Sequence, residues 1–546
     1  MKILIEGHQY VKDGNIEKIC GDFENAENGK IKVSKVGYFY NPAIQDCVLC
    51  LPKVVKDHDK STYLGGLQAE KLTDAFSEDC SLDPVQQEFV KSFSLWSYRT
   101  ISTYAKLNPQ SNIIDMRSSA TVSDDASKLG SFLDTIFDLI EFYNRNKEYF
   151  IFTIKNLHKG YEKVNWRKTV ARKTAFIQNG SPIYLEVINQ KKQIDFDEEL
   201  MIIFYSIIHY ISNYLQLIVP VECHYELITG GKFEAYLEGV GLRRLEAIRY
   251  KYFSDKDLKL WNLCYAFFQK SAGVKESEKV TDYLFVGSFH KVFESMIDAL
   301  IGDEKYQHMK VMDDGKIIDH IFKYKSPIDG KEVFYIGDSK YYAIGSKLDD
   351  KSINKQFTYA KNIIQYHIKR EDGVEGIRDN ITEGYNFIPN FFISANIPSL
   401  EDYNSDRLES RELNEEEYSS FHFENRLFDR DTLYLAHFDI NLLFIMMLYA
   451  QDNRAEQVSF SNRFKEKIFK SVNSILDSKY HFYLPKHLNE KFIEKEFKRL
   501  NGKVYPVNKG QFLLALEQGN DLTAQDEEWL ELTPNDRKKL SDILNS

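Results

Sequence analysis

Ser326-Pro-Ile-Asp-Gly330 constrains this chain more than any other stretch, because it is a strong turn signal set between two apolar strand patterns. Before it runs Lys316-Ile-Ile-Asp-His-Ile-Phe322, a strand pattern interrupted by Asp319. After it runs Val333-Phe-Tyr-Ile-Gly-Asp-Ser-Lys-Tyr-Tyr342, an apolar strand ending in Asp338-Ser339-Lys340. Two such runs about a tight turn predict an antiparallel hairpin. Residues two apart in a strand share a face, so Asp338 and Lys340 project together and pairing can bring Asp319 beside them. Upstream, the segment from Phe285 to Leu300 reads as a helix with an apolar face of Phe289, Val292, Phe293, Met296 and Leu300, and Glu294 at its border. Downstream, Lys355-Gln-Phe-Thr-Tyr359 opens a second helix carrying Phe357, Ala360, Ile363 and Ile364.

Carboxylates gathered in one buried place repel each other, and a divalent cation relieves the repulsion. Mg²⁺ takes one or two carboxylates together with waters and phosphate oxygens. Such a metal activates water and stabilises charge developing on a phosphate. An adjacent lysine aids deprotonation of the attacking water and stabilises the transition state. Asp-x-Lys alone is a poor signal: the chain holds a near-copy, Asp477-Ser-Lys-Tyr480. That copy ends a helical pattern (Phe464, Ile468, Val472, Ile475) and lacks an upstream strand aspartate, so it is set aside. Taken singly, Glu294 reads as a solvated helix position, Asp319 as a polar residue near a turn, and Asp338 with Lys340 as a surface ion pair. Their ordered combination is what favours phosphodiester chemistry.

That combination resembles the PD-(D/E)XK nuclease signature, an acid in a helix, an Asp in a first strand and (Asp/Glu)-x-Lys in a second. The resemblance implies Glu294 as the helix acid, Glu294, Asp319 and Asp338 as metal ligands, Ser339 as a backbone-carbonyl ligand and Lys340 as the catalytic lysine. The metal implied is Mg²⁺, with Mn²⁺ as a substitute. Gln356 and Tyr359 resemble the Gln…Tyr helix that helps such nucleases hold the scissile strand, although here they are three apart rather than the commoner four; Lys355 joins them as a DNA contact. Gly160-Tyr-Glu-Lys-Val-Asn-Trp-Arg-Lys-Thr-Val170, followed by Gly180-Ser-Pro-Ile-Tyr184, resembles a segment of McrC-like restriction subunits. Val36-Gly-Tyr-Phe-Tyr-Asn-Pro42 and Val48-Leu-Cys-Leu-Pro-Lys-Val54 resemble the LlaJI branch of that family. The likeness covers about residues 30–450. It implies a bacterial restriction system for phage defence, DNA as substrate, and an AAA+ GTPase partner that translocates DNA. It also implies dimerisation for double-strand cleavage. The chain has no Walker A pattern, so the motor is expected to be a separate protein.

The rest of the chain is ordered around this segment. Residues 1–82 read as a β-rich domain, with a hairpin formed by Val36 to Tyr40 and Cys47 to Leu51. Residues 83–275 read as mainly helical, starting at Asp83-Pro84 with Phe89, Phe93, Trp96 and Thr100 on one face. A second stripe joins Leu129, Phe132, Ile136, Leu139, Ile140 and Tyr143, and a third helix runs from Glu198 to Leu215. The nuclease domain is expected over 276–450 and a helical region over 451–546, giving an α+β multidomain fold. The 546-residue length agrees with roughly three or four domains.

The net charge of −11 excludes a whole-chain basic footprint, so nucleic-acid contacts must be local. Lys155 to Lys173 is one basic stretch, containing Arg167 and Lys168; Lys331 to Arg370 is another. A charge run is usually a solvated face, and for the first stretch contact with DNA or motor competes evenly with a solvated turn that buries Trp166. Cys47 and Cys50 form a lone CxxC in a buried strand pattern, without a second pair at zinc spacing. No signal-peptide pattern opens the chain, and the run from Ile440 to Ala450 is shorter than the ~20 residues a membrane span needs. A cytoplasmic protein without a membrane anchor is expected. Two rival readings stand beside the motor-driven subunit: a stand-alone restriction or repair endonuclease, and a non-enzymatic DNA-binding or scaffold subunit with a decayed nuclease fold.

Overall fold

The computed structural model describes residues 1–20, 26–27, 29–44, 46–57, 62–64, 66–75, 82–117, 131–157, 163–195, 197–215, 223–275, 282–311, 315–330, 332–342, 351–360, 388–398, 400, 405, 408–410, 426–429, 435–451, 453–485, 498, 500–508, 511–517, 529–538 and 540. These form an α+β protein built on three larger sheets and a set of helices. No helix among them is long and apolar enough to cross a membrane.

The first sheet contains β1 (Lys2–Ile5), β2 (Val36–Asn41), β3 (Asp46–Leu51), β4 (Ile114–Arg117) and β5 (Tyr283–Val286), in the order β1-β3-β2-β5-β4. The expected hairpin is present, with Gly37 opposite Cys50 and Tyr40 opposite Cys47. Both cysteines are buried, and burial pushes the Cys47 thiol up to about 12, so that thiol is not poised for chemistry at neutral pH. β4 and β5 come from beyond residue 82, and β5 from beyond 275, so this sheet runs across both boundaries drawn on composition and periodicity. Strand pairing across such sequence separations leaves no local trace.

Helix α1 (Pro84–Leu107) packs on the first sheet. Asp83 caps it, accepting from the Gln86 N–H, while the Gln86 side chain accepts from the Asp83 N–H. This reciprocal box at a Pro-led first turn is the start signal read in the sequence. The helices α2 (Phe132–Arg145), α3 (Glu199–Leu215) and α4 (Asp255–Lys275) follow, with Ser131 capping α2. Leu129, expected on the α2 stripe, lies outside the described residues.

Asp282, fully buried just before β5, joins α2 to the first sheet. It accepts from the Phe132 N–H at 3.0 Å and the Tyr38 hydroxyl at 3.1 Å. Burial pushes its carboxyl up to about 6, against the pull of those donors and of Lys270. The folded pKa thus exceeds the unfolded value of about 4. The folded state binds the proton more tightly, so this group's contribution is full below pH ~4 and is lost as pH rises to ~6. The expected loss is on the order of 2–3 kcal/mol. Urea midpoints of wild type and Asp282→Asn across pH 4–7 check it: the wild-type curve should fall relative to the variant, and parallel curves would contradict it.

The second sheet holds β6 (His320–Lys325), β7 (Glu332–Lys340), β8 (Asn390–Asn396), β9 (Leu408–Ser410) and β10 (Leu435–Asn441), in the order β6-β7-β8-β10-β9. β6 and β7 form the expected antiparallel hairpin, with Ile321 opposite Ile336 and Lys325 opposite Glu332. β7, β8 and β10 run parallel. Their alternation divides two cores. Val333 and Tyr335 join the main core, which also holds helix α5 (Phe289–Ile301). Phe334 and Ile336 join a second cluster with Ile353, Tyr359 and Phe392, under a helix over 351–360.

Gly337 continues β7 where a side chain has no room. A Cβ there would lie 2.4 Å from ring carbons of the fully buried Phe391. Gly337→Ala is therefore expected to destabilise by about 1–3 kcal/mol, the usual cost of overpacking. A lowered urea midpoint at unchanged slope is the check.

The C-terminal region departs from the expectation that it is helical. Helices α6 (Leu442–Ala450) and α7 (Arg454–Lys479) are followed by an antiparallel sheet of β11 (Tyr480–Pro485), β12 (Val504–Asn508), β13 (Gln511–Glu517) and β14 (Trp529–Glu531). Its inward residues Tyr480, Phe482 and Leu484 alternate, a period-2 signal overshadowed by the long helical stripe before it. This region holds the hairpin turn. Tyr505 donates to Asp329 at 3.0 Å, and Arg537 donates to the Pro327 carbonyl at 3.2 Å.

Candidate active site

The hairpin, helix α5 and the helix over 351–360 meet at one end of the second sheet. There they line an open cleft of about 270 Å³ whose walls include Lys53, Glu294, Asp319, Asp338, Ser339, Lys340 and Lys355. Four residues singled out in the sequence as an ordered set, Glu294, Asp319, Asp338 and Lys340, are thus brought together.

β6 begins at His320, leaving Asp319 one residue before the strand. Its neighbours Ile317 and Ile318 pair with Val311 and Lys310 instead of β7. Asp319 connects to β7 through its side chain, accepting from the Ser339 N–H at 3.0 Å. Asp338 is 1% exposed and is paired with two ammonium groups, Lys340 at 2.5 Å and Lys355 at 3.2 Å. Lys340 also lies over the Phe392 ring, 5.3 Å from its centroid.

Negative charge is crowded here. Burial, then Asp319 and Asp338, raise the Glu294 carboxyl to about 7. Burial and then Asp338 raise Asp319, offset by His320, Lys355 and the Ser339 N–H. Burial opposes the Lys355 charge, yet Asp338 and Asp319 hold its pKa above the ordinary lysine value. Buried carboxylates crowded together in this way are a donor set that a hard cation relieves. Among the described residues no three His, Cys, Asp or Glu side chains are already gathered at ligand spacing. Mg²⁺ does not require such a cage, since one or two carboxylates with waters and phosphate oxygens suffice. The residues therefore fit a divalent cation.

Behind the cleft lies a polar network the sequence reading missed. The Ser339 hydroxyl is 2.6 Å from His320 Nε2, and Lys310 bridges the Asp319 carbonyl at 2.5 Å and Asp298 at 2.6 Å. Burial opposes the Asp298 charge, but His320 and Lys310 bring its pKa down to about 2. His320 and Lys310 thus brace the backbone on both sides of the hairpin end. A buried histidine next to a strand aspartate is the only local hint.

Other expectations need correction or fall elsewhere. Tyr359 is fully buried and its hydroxyl donates to the Ile317 carbonyl at 2.6 Å, so it is a strut under the hairpin with no surface for DNA. Its place on the apolar stripe with Ile353 and Ala360 outweighs the motif likeness. Gln356 is also fully buried, with both amide atoms unpartnered among the described residues, and it does not line the cleft. Ile363, Ile364 and much of the basic stretch from Lys331 to Arg370 lie outside the described residues. Arg167 and Lys168 lie on the short helix Trp166–Arg172, away from the cleft lining. Trp166 is 59% exposed, which removes the reading that places it in the core. Val170, Phe176, Ile177 and Leu185 are exposed as well. The copy at Asp477 is structural, because its carboxylate is paired with the buried Arg537.

No curated protein matches the chain. The model of one protein family, LlaJI restriction endonuclease, matches residues 76–401, more than half of the chain. The match includes every cleft residue named above except Lys53, and it begins beyond the N-terminal segments likened to this family in the sequence. The chain belongs to the LlaJI restriction endonuclease family, whose substrate is DNA.

Proposed function

We propose that the cleft is a Mg²⁺-dependent PD-(D/E)XK nuclease site, and that this chain is the DNA-cutting subunit of a phage-defence system driven by an AAA+ GTPase. The observation that carries the reading is the convergence of Glu294, Asp319, Asp338 and Lys340 in one cleft. Asp319, Asp338 and the Ser339 carbonyl would hold the cation, with Glu294 as a further acid. When bound, Mg²⁺ (or Mn²⁺) supplies charge neutralisation at the phosphate and acidifies water.

The chain's own groups do the rest. Lys340 is fixed by Asp338 on one side and the Phe392 ring on the other. Its ammonium orients the attacking water and offsets negative charge developing on the phosphate. Lys355 offers a second cation from the opposite wall and replaces Tyr359 as the DNA contact of that helix. Gln356 is given no direct contact with the substrate. The motor is proposed as a separate protein because the chain has no Walker A pattern and resembles subunits that work with one. The exposed Trp166, next in sequence to Arg167 and Lys168, suits a contact with that motor or with DNA. Two active sites meet for a double-strand cut.

Purified protein incubated with plasmid and Mg²⁺, with and without the AAA+ protein and GTP, tests the proposal. Cutting only with both supports it. Cutting by this chain alone would replace it by the stand-alone endonuclease. No cutting in any combination would sink the nuclease reading.

A further inference from the structure

The cleft has a wall that the nuclease segment does not supply. Lys53 follows β3 and opens the short turn Lys53–Val55, yet it faces the same cleft as Asp338 and Lys340. We infer that Lys53, delivered by the N-terminal sheet, is a phosphate-binding cation of the nuclease site; this rests on the nuclease reading above.

Its place is fixed relative to β7. Tyr341 directly follows Lys340, is buried, and packs against Phe289 and Phe293 with ring centroids 5.4 and 6.3 Å away. Its hydroxyl donates to Glu6 at 2.6 Å and accepts from the Lys53 N–H at 3.0 Å. The same Lys53 N–H lies 3.1 Å from Glu6. Two elements of the first sheet are thus latched to the residue after the proposed catalytic lysine. Such a latch holds the Lys53 backbone whatever its side chain does.

The ammonium itself remains available. Lys340 and Lys355 are both paired with Asp338, whereas Lys53 has no carboxylate partner among the described residues. Its Nζ rests over the Tyr341 ring, 4.8 Å from the centroid. A phosphate oxygen makes a stronger, charge-assisted bond than that ring. In a chain of net charge −11, an ammonium in the cleft wall that no carboxylate holds adds to the attraction for a phosphate. Lys53 belongs to no motif, which is why the sequence did not mark it.

The test measures binding of a short DNA duplex by wild type, Lys53→Met and Lys53→Arg over a salt series, with Ca²⁺ replacing Mg²⁺, beside plasmid cleavage in Mg²⁺ with the AAA+ protein and GTP supplied. Lys53→Met keeps the backbone latch, and unchanged thermal unfolding would verify the fold. The expected result is roughly 3–10-fold weaker binding and a salt slope reduced by about 1, both restored in Lys53→Arg. Unchanged affinity and slope in Lys53→Met, with cleavage lost in Lys340→Met, would overturn the Lys53 assignment alone. Weakened binding with wild-type protein that never cuts would keep Lys53 as a DNA contact and sink the nuclease reading.

Discussion

Lys340→Met should lower DNA cleavage by about 10²–10³-fold, the loss that follows removal of one preorganised transition-state donor. The corresponding barrier change is about 2.7–4 kcal/mol. Stability should change little, because Asp338 keeps its second partner, Lys355, at 3.2 Å. Methionine also retains the apolar stem that lies along Phe392. Asp338→Asn should be at least as damaging, since it removes one proposed metal ligand and the carboxylate that fixes two ammonium groups. The check is cleavage rate measured beside a urea midpoint. Loss of rate at an unchanged midpoint separates chemistry from folding, and a parallel fall of both would contradict the assignment.

The largest stability effect is expected far from the cleft. Arg537→Ala should destabilise by about 3–5 kcal/mol, the usual result of breaking a buried ion pair. Arg537 is 1% exposed, paired with Asp477, bonded to the Pro327 carbonyl and stacked over Phe482 at 4.0 Å. Burial lowers its pKa while Asp477 sustains its charge. The substitution strips the Pro327 carbonyl and Asp477 of their donor and leaves a cavity beside Phe482. Lysine should rescue poorly, because one ammonium cannot reproduce a planar fork with two divergent partners. Urea unfolding of both variants checks the order, and a loss below about 1 kcal/mol in Arg537→Ala would contradict it. The effect also explains how the C-terminal region serves the site, by clamping the turn of the hairpin that carries Asp319 and Asp338.

The hairpin was legible because every local signal agreed. Turn residues at 326–330, period-2 flanks and a carboxylate-lysine pair two apart all describe the same object. What escaped the sequence is nonlocal. Asp319 lies before its strand because its carboxylate bonds the Ser339 N–H, a choice made across the hairpin. Tyr359 resembled a DNA contact by position, but the apolar stripe around it buries it. β5 pairs with β4 and with β2, each more than 160 residues away in sequence, so the domain borders at 82 and 275 cut through one sheet. The same distance hid Lys53. The C-terminal sheet did have a signal, Tyr480, Phe482 and Leu484 alternating after a helix, too short to outweigh the stripe preceding it.

Two identical tetrapeptides in one chain, at 338–341 and 477–480, offer the most direct test of the central claim. Lys340 and Lys479 both follow Asp-Ser, yet only Asp338 faces the cleft, while Asp477 is spent on Arg537. Plasmid cleavage in Mg²⁺, with the AAA+ partner and GTP supplied, should be compared for Lys340→Met and Lys479→Met. The account predicts that Lys340→Met loses cutting and Lys479→Met retains it. Retained cutting in Lys340→Met would contradict the assignment of the active site.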